Sequence, residues 1–167
     1  MAIIFRILFA ALLLCSNVYA LEPMRVNQSG DPHVEVFVSD STKFMDDWVN
    51  TPSSYAPVIK RVKEARFNQM VHAGIVISGF GIDSSSKVDF VVGVEIIAPN
   101  GAVFLKDERF AVHKGQFKGK GIIMANKVLD MEFEPNDPVG AYTIKATIID
   151  NIAKKRVSGS TNLTIKP

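Results

Sequence analysis

The chain has 167 residues, a formal charge of +2, a pI near 8.7 and a single cysteine. So even a charge balance excludes the basic excess of a nucleic-acid binder, and one cysteine excludes a disulfide framework. Stability must come from an apolar core, and with 47% hydrophobic residues a chain of this size buries roughly 70% of the surface its unfolded form exposes.

The first twenty residues, MAIIFRILFAALLLCSNVYA, have the parts of an export signal: Arg6 near the start, an apolar stretch over Ile7 to Leu14, and small or apolar Val18 and Ala20 before a cleavage point. The apolar run is too short for a retained membrane span. Cys15 follows bulky Leu14, whereas a lipid-bearing cysteine wants a small residue before it, so lipoprotein anchoring is not expected. The sequence therefore predicts a periplasmic or secreted protein with no transmembrane span.

Residues 21–56 read as an N-terminal extension. LEPMRVNQSGDP is polar and broken by Pro and Gly, HVEVFVS alternates briefly as a short strand, and DSTKFMDDWVN places Phe44, Met45, Trp48 and Val49 at helical spacing. That spacing predicts a short helix over about 41–49, capped by Asp40 or Ser41. Trp48 and its neighbours are expected to pack on the sheet edge.

From residue 57 the period becomes two. VIKRVKEARF is a charged strand candidate suited to a sheet edge. In MVHAGIVISGF, Val71, Ala73, Ile75 and Ile77 share a face, with His72 opposite. KVDFVVGVEIIAPNGAVFLKDERFAVHK reads as a hairpin, with Asn100 and Gly101 supplying positive φ at its turn. LDMEFE sets Leu129, Met131 and Phe133 against three acids, YTIKATIID sets Tyr142, Ile144, Ala146 and Ile148 inward, and VSGSTNLTIKP turns Val157, Thr161, Leu163 and Ile165 inward. Short alternating strands at this spacing predict an all-β, antiparallel sandwich over 57–167, not βαβ units.

Within that pattern EPNDPVGAY stands at the threshold of a strand. Asp137 and Pro138 start a turn, Gly140 permits an unusual backbone angle, and Tyr142 is two residues inside. In immunoglobulin-like sandwiches a tyrosine here buries its ring while its hydroxyl bonds back to the preceding corner, so Asp137, Gly140 and Tyr142 are expected to form a structural corner. EPNDPVGAYTIKATIIDNIAKKRVSGSTNLTIKP resembles the last three strands of bacterial immunoglobulin-like domains, macroglobulin-type domains among them, whose penultimate strand commonly begins Gly, one residue, Tyr. VDFVVGVEIIAPNGAVF resembles their central hairpin. The resemblance implies an immunoglobulin-like β-sandwich carrying a short N-terminal strand-helix extension. It points to a small secreted bacterial protein, and it assigns no activity, because such sandwiches serve adhesion, chaperoning, scaffolding and ligand binding alike.

Catalytic chemistry finds few candidates. His33, His72 and His113 are the only histidines, none at the spacing of a helical metal pair, and the serines of VISGFGIDSSSK lack a nucleophile elbow. Asp46 and Asp47 beside Trp48 diverge by about 100° on a helix and face no common substrate. Asp83 and Asp89 lack the calcium-loop arrangement, with Lys87 where it would repel a cation. No metal, cofactor or catalytic residue is predicted.

Mapping residues 69–78, 88–97, 141–150 and 156–165 onto strands B, C, F and G gathers three loops at one end. They bring together Lys87, Lys114, Lys118, Lys120, Lys154, Lys155 and Arg156, with Phe117 among them. Such a basic rim suits an anionic surface or another exported or envelope protein. The expectation is a noncatalytic interaction module, binding through this loop end or through an open strand edge. The competing expectation is a glycan or lipid carrier, or a hydrolase, with a pocket around Phe44, Trp48 and Tyr55.

Overall fold

The computed structural model describes residues 31–52, 57–119 and 121–167. The stretch 1–20 read as an export signal, with Cys15, the start of the extension at 21–30, Tyr55 and Lys120 lie outside the described residues. In chain order the elements are β1 (His33–Ser39), α1 (Lys43–Asn50), β2 (Glu64–Arg66), β3 (Val71–Ser78), β4 (Lys87–Ile97), β5 (Val103–Gln116), β6 (Ile122–Met124), β7 (Leu129–Met131), β8 (Gly140–Asp150) and β9 (Lys155–Lys166).

Two sheets face each other. In the first, β1 pairs with one side of β3 while β6 and β7 share its other side; in the second the order is β2-β9-β8-β4-β5. The strict alternation of β4 and β8 explains the core: Val88, Phe90, Val92, Val94 and Ile96 from one strand and Tyr142, Ile144, Ala146 and Ile148 from the other are all buried. They meet Val71, Ala73, Ile75 and Ile77 of β3 from the opposite sheet. Each fully buried Ile or Phe in this layer contributes roughly 1.5–3 kcal/mol relative to exposure. With β3, β4, β8 and β9 in the B, C, F and G positions, the chain from β3 onward crosses between sheets after β3, after β5 and after β7, as an immunoglobulin-like sandwich does.

The N-terminal strand is more than an appendage: β1 pairs with β3 along its whole length, from His33 opposite Ser78 to Ser39 opposite His72. Its approach to β9 is close enough that a Cβ on Gly159 would lie 2.0 Å from the Val34 carbonyl oxygen. The charged segment before β2 is not one continuous strand. The Val62 N–H donates to Val38 of β1, after which Lys63 accepts from Thr164 and β2 runs parallel to β9. The segment thus changes sheets midway, which breaks the ladder.

Helix α1 begins two residues later than the pattern predicted. Its N-cap position is Thr42, which makes no side-chain cap bond, while the Ser41 hydroxyl accepts from the Lys43 N–H at 3.1 Å. The helix covers the outer face of the first sheet, where Phe37 lies over Gly74; a Cβ there would sit 2.2 Å from the Phe37 Cζ. Phe44 meets Phe37 edge-on at 5.0 Å, and Trp48 and Met45 pack around this second cluster with Ile59, Val76 and Met124.

At the β4–β5 turn only Gly101 has positive φ, at 83°, so the expected pair of positive angles is corrected to one. The Gly101 N–H donates to Ala98, and the Asn100 carboxamide accepts from the Ala102 N–H, so Asn100 serves through its side chain.

Candidate functional site

The three basic loops do converge. Phe80 of the β3–β4 loop lies 5.1 Å from Phe117, edge-on, and the Phe117 N–H donates to Ser86. Asp150, buried at the end of β8, accepts from the Gly81 N–H at 2.6 Å and from the Ile152 and Ala153 N–H groups at 2.9 Å each. One carboxylate therefore ties the β3–β4 loop to the β8–β9 turn. Gly81 is required there, because a Cβ would come within 2.7 Å of the Ala153 nitrogen.

The cations on these loops are less available than their sequence positions imply. Lys114 pairs with Asp89 at 3.1 Å, and Asn151 donates to the same carboxylate at 2.8 Å; hydrogen bonds from Asn151 and then Lys114 hold Asp89 below the usual carboxylate range. Lys155 pairs with Asp31 at 2.5 Å. Arg156 stands opposite Ile149 and lines the outer face of the second sheet instead of the loop rim. Phe117 is half-buried against Phe80 and the core, a plug under the loops more than a contact. Among the described residues Lys87, Lys118 and Lys154 have no carboxylate within 4.0 Å; Lys120 lies outside them. Beneath the loops His113 stacks on Phe90 at 4.9 Å with its buried Nε2 unpartnered among the described residues, and burial pushes its imidazole below the usual value.

The opposite end holds the corner. Asp137 accepts from the Glu134 N–H at 2.8 Å through its carboxylate and returns its own N–H to the Glu134 carbonyl at 2.9 Å. Gly140 has φ of 133°, with Pro99 packed 3.1 Å from where a Cβ would be. The Tyr142 ring is fully buried, as expected. Its hydroxyl does not bond back to the corner: the buried Oη has no hydrogen-bond partner among the described residues. The backbone groups of the turn are satisfied by Asp137 instead, and burial followed by the nearby Asp137 charge raises the Tyr142 pKa.

What occupies the space around Tyr142 is aromatic. Its ring lies 4.6 Å from Phe133 and 5.4 Å from Phe104, and Phe104 stacks on Phe133 at 5.6 Å. Phe104 is nevertheless 42% exposed, between Val103 at 56% and Leu105 at 38%, all three on the outermost strand of the second sheet. Val139, beside the corner, is 53% exposed. The sequence held a signal for this patch: VFL puts three apolar residues in a row where a one-faced strand alternates.

Phe44 and Trp48, the residues of the alternative ligand pocket, belong to the apolar cluster under α1, and Tyr55 lies outside the described residues. Among the described residues no three His, Cys, Asp or Glu side chains gather as a metal site, and no helix is long and apolar enough to cross a membrane.

The sequence matches no protein-family model and no curated protein. Among solved structures, the chain is similar to an alkylpurine DNA glycosylase of Pseudomonas fluorescens at 8% identity and TM-score 0.44, over 63% of this chain and 28% of that one. A Niemann-Pick type C2 protein from the Japanese carpenter ant has 10% identity and TM-score 0.43, over 89% and 100% of the two chains. An immunoglobulin-like protein from Pseudomonas aeruginosa has 16% identity and TM-score 0.31, over 88% and 99%. This chain is an all-β sandwich of immunoglobulin-like kind, and what defines it is the strand order: β1-β3-β6/β7 facing β2-β9-β8-β4-β5.

Proposed function

We propose that this chain is a noncatalytic exported interaction module that takes an extended segment of another exported or envelope protein along the edge of β5, which pairs only with β4 among the described residues. One observation carries the reading: Val103, Phe104 and Leu105 are exposed together on the outermost strand, and Phe104 is held against Phe133 and Tyr142. An aromatic ring fixed by its neighbours loses little entropy on binding, as the anchors of protein interfaces do. The adjoining strand edge offers unpaired backbone groups for an added strand. Farther along β5, Lys106 to Arg109 are charged, which guards that part of the edge, while register shifts interrupt the β4–β5 ladder between Ala111 and Asp107 and again at Phe104. The signal-like residues 1–20 support export to the periplasm or beyond, and the resemblance of residues 57–167 to bacterial domains supports such a source.

A photo-crosslinking side chain in place of Val103, and separately in place of Lys118, tests this in the producing cell. The reading expects a discrete partner adduct from position 103 that Phe104→Ala abolishes. Adducts from position 118 alone would move the interface to the loop end.

A further inference from the structure

The bulge in β5 also changes the outer face of the second sheet. Between Val92 opposite Ala111 and Val94 opposite Asp107, β4 advances two residues while β5 advances four. The extra length tucks Phe110 inward and carries the backbone at Asp107 and Glu108 over Gly93, where a Cβ would lie 3.2 Å from the Glu108 carbonyl oxygen. A flat sheet face thereby gains a wall. The result is a groove of about 580 Å³, floored by Gly93 and Thr147 between a row containing Val91 and Ile149 and a row containing Glu95 and Lys145.

Seven charged side chains line this groove, and their pairing is uneven. All three carboxylates are engaged within the protein. Glu108 takes Lys106 at 2.8 Å, Glu95 takes Lys145 at 3.8 Å, and Asp107 accepts the Arg109 N–H at 2.8 Å. The guanidinium groups of Arg109 and Arg156 have no carboxylate within 4.0 Å among the described residues. Beside them Val112 and Ile149 are exposed, in one cross-strand row with Val91.

From this arrangement we infer that the groove is a binding site for an acidic peptide segment, whose carboxylates meet Arg109 and Arg156 while an adjacent apolar side chain covers Val91 and Ile149. A guanidinium fork matches the two oxygens of a carboxylate. The Asp107 carboxylate, which has no cation within 4.0 Å among the described residues, repels a doubly charged phosphate more than a singly charged carboxylate, which favours the carboxylate. The apolar row adds contact area that a free inorganic anion cannot use and a peptide side chain can. This site is separate from the Val103–Leu105 edge and stands or falls without it.

Fluorescence anisotropy of a short labelled peptide of alternating glutamate and valine, titrated with the purified exported chain, tests the site. Saturable binding is expected, falling with salt, about tenfold weaker for Arg109→Gln/Arg156→Gln and absent for the glutamine-valine peptide. Phe104→Ala and Lys118→Gln/Lys154→Gln should bind as the parent does. The inference is overturned by no saturable binding, by equal binding to the arginine variant, by an equal loss in the lysine variant, or by displacement with inorganic phosphate as effective as unlabelled peptide. Circular dichroism of each variant separates lost binding from lost fold.

Discussion

The two ends of the sandwich satisfy their polar groups in opposite ways. At the loop end a buried carboxylate, Asp150, gathers three backbone N–H groups from two loops, and the surrounding lysines are partly neutralised by Asp31 and Asp89. At the corner end an exposed-looking turn is closed by Asp137, while beneath it Phe104, Phe133 and Tyr142 form an aromatic stack with one hydroxyl unpartnered among the described residues and one ring open to solvent. At the loop end the clustered charges hold the loops to one another, whereas at the corner end the aromatic stack leaves Val103, Phe104 and Leu105 exposed together.

The largest effect separating the ends is expected at Asp150. Asp150→Ala leaves three N–H donors without their acceptor and should cost roughly 3 kcal/mol in urea unfolding, with no local substitute. A loss under about 1 kcal/mol would mean the loops are held by the Phe80–Phe117 contact instead. Next comes Phe104→Ala, which should weaken partner capture by about 2 kcal/mol while Lys87→Glu/Lys118→Glu/Lys154→Glu leaves it unchanged. The reverse pattern in pull-downs would return the interface to the basic loops.

Smaller and of opposite sign is Tyr142→Phe. With the hydroxyl buried and unpartnered among the described residues, its removal should leave stability level or raise it by up to about 1 kcal/mol in the same unfolding assay. A clear loss would show that the hydroxyl is bonded in solution.

The smallest effect is a pH dependence at the loop end. Burial lowers the His113 pKa in the folded chain from its ordinary 6.5, so the unfolded chain binds the proton more readily. His113 accordingly favours the folded state fully above its unfolded pKa, and that contribution declines as pH falls through 6.5 toward the lower folded value. Thermal midpoints should drop on acidification across this window, and His113→Phe, which keeps the stack on Phe90, should remove part of the slope. An unchanged slope would assign it to carboxylates instead.

Much of the frame was legible because alternation is local. Val88 to Ile96 and Tyr142 to Ile148 declare an inner face with no reference to partners, and the Asp137–Gly140 turn carries its own chemistry. The basic rim was legible as a cluster, but the pairing of its cations was not. Lys155 is neutralised by Asp31, 124 positions away, and nothing in the residues near Lys155 announces that contact. The aromatic patch was half legible: Val103–Leu105 breaks the alternation, yet only packing puts Phe104 on Phe133 and Tyr142. The groove was not legible, since Gly93 reads as a weak strand residue until the β5 backbone is seen above it.

By itself the sequence determined the all-β alternation, the short helix and the turn at Asp137, because each rests on preferences spanning a few neighbouring residues. Only the tertiary structure decided that β1 joins the first sheet and that the segment before β2 changes sheets. It alone left the Tyr142 hydroxyl unpartnered among the described residues and the Arg109 and Arg156 guanidinium groups without a carboxylate there. Those outcomes depend on register and on contacts between distant segments, and a residue's own neighbours in the chain place no constraint on what will lie across the sheet from it.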